Sequence, residues 1–98
     1  TNVVITCGDR GAVMLGNDIG LWAQAHRVEL VDGTGGGDAF TSGLILGLLD
    51  NATPEDCLKL GSAAGACCVQ VTGATTGMPD AETLRRLAAD AAIEIRAV

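Results

Sequence analysis

Short apolar runs alternate with glycine-rich turns over the first quarter of the chain. Val3-Val4-Ile5 is a compact apolar run, which is typical of a buried parallel strand. A second run follows at 12–15, after the segment Gly8-Asp9-Arg10-Gly11, whose spacing favours a hairpin turn. Beyond the turn cluster at 16–20, residues 21–25 predict a short edge strand in which Trp22 packs rather than stacking on a ligand.

A longer apolar segment predicts a helix from Asp38 to Leu49. Its leucines and isoleucine cover nearly the whole circumference, which indicates a helix buried within a larger fold. Gly43 and Gly47, four residues apart, share one face, and each costs about 1 kcal/mol relative to alanine in a helix. We therefore expect another backbone to pack closely against this face.

A second helix has a standard start and an unusual middle. Thr53 predicts the N-cap, with Pro54 at the first helical position and a body that extends from Leu58 to Val71. The middle is a block of small residues, Gly61-Ser62-Ala63-Ala64-Gly65-Ala66. Such a block admits either the close approach of another helix or that of a flat ligand, and the residues alone favour neither.

A third helix is predicted over 81–91, with Asp80 as its N-cap. The amphipathic spacing assigns Glu82, Arg85 and Arg86 to solvent, and it assigns four residues to the apolar face: Leu84, Leu87, Ala88 and Ala91. The tail, residues 93–98, receives no assignment.

The composition points to part of a larger structure. The 98 residues are 48% apolar and include 14 glycines, but only one tryptophan and one phenylalanine. This is the composition of the inner part of an α/β domain whose neighbouring layers are missing. Because no repeat, low-complexity tract or linker is present, we expect residues 1–98 to lie within one domain without an internal boundary.

Charge and reactive residues exclude several functions. A net charge of −6 with six Lys and Arg argues against nucleic-acid and acidic membrane partners, and no apolar run reaches the ~20 residues of a membrane helix. The four cysteines lack C-x-x-C spacing and lie apart from His26, which argues against a metal site. We expect Cys67 and Cys68 to be small buried apolar residues in a reducing, cytoplasmic compartment. His26 and Arg27 are typical of a solvated strand end, with contact to a nucleotide phosphate as the alternative.

The stretch from Val31 to Phe40 carries the strongest chemical signal. A β-favouring run at 28–31 leads into four glycines among five residues, and a helix follows. Glycine loops before a helix offer backbone N–H groups and the positive end of the helix dipole to an anion. The loop fits neither the dinucleotide fingerprint nor the P-loop, since Gly37-Asp38-Ala39 stands where those motifs need other residues.

Asp38 needs its own explanation, because a carboxylate repels a ground-state phosphate. It is either an N-cap residue, which is the purely structural reading, or a general base that accepts a proton from a hydroxyl. In the second reading, the glycine amides hold the charge that grows on a transferred phosphoryl group.

The stretch Asp32-Gly33-Thr34-Gly35-Gly36-Gly37-Asp38-Ala39-Phe40 resembles the C-terminal signature of the ribokinase-like (PfkB-type) carbohydrate kinases, D-[TS]-T-G-A-G-D-x-F. Gly33 and Gly36 depart from it, although both keep the backbone amides. The resemblance implies that residues 1–98 are the C-terminal nucleotide-binding and catalytic portion of a three-layer α/β/α sandwich. It also implies an ATP-dependent phosphotransferase acting on a hydroxyl of a sugar or nucleoside, with Mg²⁺ accompanying ATP.

The resemblance also implies roles for individual residues. Asp38 is the base, and the amides of Gly35, Gly36 and Gly37 form the anion hole. The residues matching T-x-G-x-x-G and the adenine-side contact are nucleotide ligands: Thr6, Gly8, Gly11 and Ser62. The candidate ligands of a monovalent cation such as K⁺ are Asp32, Thr34, Cys68, Val71 and Gly73. Gly77 stands where several members of the family have a serine, so one oxygen ligand is lost.

Several expectations depend on parts of the family's fold that this chain does not contain. The N-x-x-E motif that helps to order the metal has no match here, and substrate recognition resides mostly in the N-terminal portion and its lid, through which a homodimer could form. The isolated 98 residues are therefore expected to be inactive. A non-catalytic nucleotide-binding or regulatory module of the same fold is the alternative, suggested by Gly33 and Gly77.

Overall fold

The computed structural model describes residues 2–26, 28, 35–70, 78–90 and 93–98. It contains four strands and three helices. The strands are β1 (Val3–Thr6), β2 (Ala12–Leu15), β3 (Gly20–Ala23) and β4 (Ile95–Ala97), and the helices are α1 (Gly36–Leu49), α2 (Pro54–Val69) and α3 (Ala81–Asp90). The predicted strand at 28–31 lies, except for Val28, outside the described residues.

The four strands form one antiparallel sheet in the order β1-β2-β3-β4. The prediction of a buried parallel strand at Val3-Val4-Ile5 is wrong within the described residues, because the short turn before β2 reverses the chain and forces antiparallel pairing. Val3 and Ile5 are 52% and 50% exposed. The edge assignment of β3 is also wrong, since β3 pairs with β4 on its second side.

Helix α2 is central to the packing. It contacts β2 and β3, while α1 and α3 pack against it from other sides. Two buried clusters form the core. One joins all three helices and includes Ala64 and Leu84, and the other joins the sheet to α1 and α2 through Met14, Phe40 and Leu58.

The two glycines of α1 bring it close to α2, as predicted. A Cβ at Gly43 would collide with the carbonyl of Leu60, and one at Gly47 would lie 2.9 Å from Cα of Cys57. The opposite face of α1 stays open, because Leu48 and Leu49 are 60% and 76% exposed in the described structure. Burial of the whole circumference of α1 in a larger fold therefore stays a prediction.

The predicted caps of α2 and α3 are confirmed. The hydroxyl of Thr53 accepts a hydrogen bond from N–H of Asp56 at 3.2 Å, and the carboxylate of Asp80 accepts one from N–H of Thr83 at 2.8 Å. On α3, Leu84 and Ala88 are buried as predicted, whereas Leu87, which was assigned to the same face, is 43% exposed in the described structure. Ala91 lies outside the described residues.

An ion pair links the end of α1 to α3. Arg85 donates from Nε and Nη2 to the two carboxylate oxygens of Asp50 at 2.8 and 3.0 Å. The hydrogen bond from Arg85 lowers the pKa of Asp50 below its ordinary value. Both side chains are partly exposed, so the pair orients α3 more than it stabilises the fold.

Candidate functional site

The turn between β1 and β2 is a tight loop that requires glycine. Residues Gly8–Arg10 form one turn of 3₁₀ helix, and N–H of Cys7 donates to the carbonyl of Gly11 at 2.8 Å. Gly8 and Gly11 have φ values of 59° and 93°, and a Cβ at Gly11 would collide with the carbonyl oxygen of Ala23. The predicted hairpin is thus confirmed, and its glycines are needed for backbone conformation and close packing.

Trp22 fixes this turn against the sheet. Its indole Nε1–H donates to the carbonyl of Arg10 at 2.9 Å, and the guanidinium carbon of Arg96 on β4 lies 4.4 Å from the ring centroid. Trp22 therefore packs, as predicted, and holds the hairpin turn in place. A cation–π contact of this kind contributes on the order of 0.5–1 kcal/mol at an exposed site.

Helix α1 begins two residues earlier than predicted, and its N-cap is Gly35 rather than Asp38. Gly35 has the left-handed conformation, with φ 80°, and its carbonyl accepts the first helical hydrogen bond from Ala39 at 2.8 Å. The amides of Gly36, Gly37 and Asp38 therefore have no partner within the helix. They lie at the positive end of the helix dipole, which favours an anion.

Asp38 is the third residue of α1, and its side chain is exposed. The N-cap interpretation is therefore wrong, because the helix has no side-chain cap hydrogen bond. A carboxylate at this position gains from the helix dipole, but capping does not require it. The role of Asp38 as a general base stays a prediction.

A cavity of about 520 Å³ lies between the hairpin turn, α1 and α2. All four residues predicted to bind nucleotide line it: Thr6, Gly8, Gly11 and Ser62. Gly36 and Gly37, from the anion-hole prediction, line it as well, whereas Gly35 and Asp38 belong to the same helix start but not to its lining. The volume falls within the range of small-molecule sites.

The small-residue block of α2 contributes both to a helix contact and to the lining of the cavity. Gly61 packs against α1, where a Cβ would lie 3.0 Å from the ring of Phe40, while Ser62 and Ala66 line the cavity. Gly37 contributes open space, since a Cβ there would meet nothing within 4 Å. The two helices thus approach closely and leave room for a ligand beside their contact.

His26 also lines the cavity, contrary to the prediction of a solvated strand end. Its Nε2 is buried and has no hydrogen-bond partner among the described residues. Burial lowers the pKa of His26 below its ordinary value of 6.5, so the imidazole is neutral at pH 7. The only sequence signal was its place as the one histidine, shortly before the glycine loop.

Four of the five predicted cation ligands, Asp32, Thr34, Val71 and Gly73, lie outside the described residues, as do Gly33 and Gly77. The fifth, Cys68, is fully buried in the helical core. Cys57 is buried and Cys67 half-buried, and in both thiols burial raises the pKa, whereas Cys7 is exposed. Within the described ranges, no cluster of three or more metal-ligating His, Cys, Asp or Glu residues occurs.

Among the same residues, no helix has the length and hydropathy to cross a bilayer.

Comparison with known sequences places these features in a family. The pattern of the pfkB family carbohydrate kinase matches residues 1–81. A ribokinase from Arabidopsis thaliana is 39% identical over 59 residues, which are 60% of this chain and 16% of that protein. An ATP-dependent 6-phosphofructokinase from Thermoanaerobacterium thermosaccharolyticum is 34% identical over 85 residues, which are 87% of this chain and 26% of that protein.

Comparison with solved structures gives the same relationship as comparison of sequences. The structure of Arabidopsis thaliana ribokinase complexed with ribose and ATP matches 89% of this chain at a TM-score of 0.82 and 29% identity, although this chain spans only 28% of it. The chain has the ribokinase-like α/β fold over the part of the domain that it contains. It belongs to the pfkB family of carbohydrate kinases.

Proposed function

We propose that the complete protein carrying this chain is an ATP-dependent kinase that phosphorylates a hydroxyl of a sugar or nucleoside. The observation that carries the proposal is the shared cavity, which is lined both by Thr6, Gly8, Gly11 and Ser62 and by the first residues of α1. The relatives support the substrate class, since one is a ribokinase and another an ATP-dependent 6-phosphofructokinase.

The cavity fits a nucleotide in two respects. Its α1 end offers N–H groups without helical partners, which suit phosphate oxygens. Elsewhere it is walled by small residues such as Gly65 and Ala66, which admit a flat base. The nucleotide supplies the phosphoryl group when bound.

In this proposal the amides of Gly35, Gly36 and Gly37 stabilise negative charge on the phosphoryl oxygens, and the dipole of α1 strengthens them. Asp38 accepts the proton of the acceptor hydroxyl. Asp38 is not among the residues that line the cavity, and in this proposal its carboxylate faces the acceptor substrate rather than the nucleotide.

Magnesium is expected to accompany ATP, but the described residues provide no ligand cluster for it, so we assign it no residue. A monovalent cation remains a proposal through Asp32, Thr34, Cys68, Val71 and Gly73. Its test is the dependence of kcat on K⁺ concentration with Na⁺ as the counter-salt.

The decisive test is Asp38→Asn in the complete protein. Because Asp38 caps nothing, the substitution should cost only its favourable interaction with the helix dipole and lower the melting temperature slightly, while kcat falls about 10²- to 10⁴-fold. ATP affinity should change little. Transfer to a panel of sugars and nucleosides is measured by ADP release, and ATP affinity by calorimetry.

Asp56→Asn is the matched control, because Asp56 is also an exposed acidic residue at the third position of a helix, α2. It should retain full activity. Near-normal kcat in the Asp38 variant would refute the base assignment. Binding of ATP by the wild-type protein without transfer to any acceptor would instead support the non-catalytic nucleotide-binding module.

A further inference from the structure

His26 is a half-buried side chain with one fully buried ring nitrogen. Its Nε2 is inaccessible to solvent, yet it neither donates nor accepts a hydrogen bond within the described structure. Leaving such an atom unsatisfied is costly, and native structures rarely do so without a reason. The same side chain lines the cavity of about 520 Å³ that also contains Ser62 and the first residues of α1.

The lining of the cavity around His26 is mixed, with apolar residues and with the polar side chains of Thr6, Asp9 and Ser62. Ala25 and Val28, its described neighbours along the chain, line the cavity with it, as do Val69 and Phe40. Burial is the cause of its lowered pKa, with no acidic partner contributing. A neutral imidazole carries one N–H donor and one lone-pair acceptor, which matches the polar edge of a heterocycle or a ribose hydroxyl.

The two ends of the cavity differ in chemistry. The α1 end has free backbone amides and a positive dipole, which suit phosphates without help from a side chain. A neutral imidazole adds little to phosphate binding, because a phosphate contact favours the charged form of histidine. Neutral polar groups of a nucleoside are the better match.

We propose that His26 is a nucleotide-binding residue whose Nε2 forms a hydrogen bond with the nucleoside part of ATP. The inference rests on the proposed function, since it names a further contact in the same cavity. Binding then satisfies an atom that has no hydrogen-bond partner among the described residues. His26 lies outside the signature 32–40 and outside the T-x-G-x-x-G turn, so neither motif points to it.

The test uses calorimetric titration of the complete protein with ATP and with inorganic tripolyphosphate. His26→Phe keeps the ring volume but removes both nitrogens, and it should weaken ATP binding about 3- to 10-fold. Binding of tripolyphosphate should stay within about twofold of wild type. The melting temperature of the unliganded variant should be equal or higher, because the variant no longer buries an unsatisfied nitrogen.

Two further variants test the atom itself. A glutamine side chain places a polar group at the position of Nε2, whereas an asparagine side chain places one at the position of Nδ1. His26→Gln should therefore keep most of the ATP affinity, and His26→Asn should bind ATP as weakly as His26→Phe. Arg85→Gln, in the separate cavity of about 230 Å³ beside α3, is the control and should bind ATP normally.

The inference is overturned if His26→Phe binds ATP as tightly as wild type, or if ATP and tripolyphosphate lose affinity equally. A lowered melting temperature together with equal losses in the Gln and Asn variants would make His26 structural, which also overturns it. Failure of the wild-type protein to bind ATP would refute the proposed function itself.

Discussion

Replacing Gly43 by alanine should separate the two helices that enclose the site. A methyl group at Gly43 would overlap the carbonyl oxygen of Leu60 and lie 2.8 Å from its carbonyl carbon and 2.9 Å from Cα of Gly61. All three atoms belong to the backbone of α2, so no side chain can rotate away. The helices must therefore move apart by about 1 Å before the methyl group reaches ordinary van der Waals contact with this carbonyl oxygen.

The magnitude follows from two opposing effects. Inserting a methyl group into a well-packed contact costs about 1–3 kcal/mol, and rigid backbone neighbours place Gly43 at the upper end of this range. This cost is offset by about 1 kcal/mol, because alanine has a higher helix propensity than glycine. We expect Gly43→Ala to lower the free energy of unfolding by about 2 kcal/mol and to raise KM for ATP, because the cavity walls belong to both helices.

Urea denaturation of the complete protein measures the stability change, and Gly37→Ala is the matched control. It makes the same change in the same helix where a Cβ meets nothing within 4 Å. The control should be as stable as wild type or more so, but its methyl group should lower kcat by crowding the anion hole. A Gly43→Ala protein as stable as the Gly37→Ala protein would refute the close-packing argument.

Two further predictions concern the helix ends. Thr53→Ala removes the acceptor for N–H of Asp56 and should lower the free energy of unfolding by about 1 kcal/mol in the same denaturation assay. Thr53→Ser keeps a hydroxyl acceptor and should have the stability of wild type. Equal stabilities of the Ala and Ser variants would contradict the cap. Arg85→Gln should reduce stability at neutral pH. The difference from wild type should shrink as the pH falls below 3.8 and the Asp50 carboxylate becomes protonated, because the lowered pKa of Asp50 contributes stability only while this carboxylate is charged. A difference that does not change with pH would contradict this origin.

The parts of the fold that sequence predicted well depend on local signals. Thr53 and Asp80 cap helices through atoms only three residues away, so their roles can be read from neighbouring residues. The glycine spacing of α1 likewise predicted a close helix contact. The start of α1 was misplaced because Gly35 in the left-handed conformation can act as N-cap without a side chain, and Asp38 looked like the better candidate.

Errors in the sheet have a different origin. β1 and β3 were assigned from their own residues, but their exposure and neighbours depend on which strands pair beside them. β4 has only three residues, Ile95–Ala97, and is defined by its pairing with β3. No local pattern of that length distinguishes a strand from a tail.

The residues of the candidate site also differ in how well the sequence predicted them. Thr6, Gly8, Gly11 and Ser62 were identified through resemblance, and the structure brings them to one cavity. His26 was missed because a single histidine carries no motif. Its environment is created by α1 and α2, which come later in the chain.

The contact between Trp22 and Arg96 affects the order in which the site is assembled. Arg96 lies beyond the 1–81 family match, and next to it Gln24 and Glu94, 70 residues apart, exchange two hydrogen bonds. Such non-local contacts require closure of a long loop and tend to form late in folding. The turn at Gly8–Arg10, which Trp22 contacts, thus depends for part of its support on β4. We therefore expect the proposed nucleotide side of the cavity to be complete only when β4 has paired.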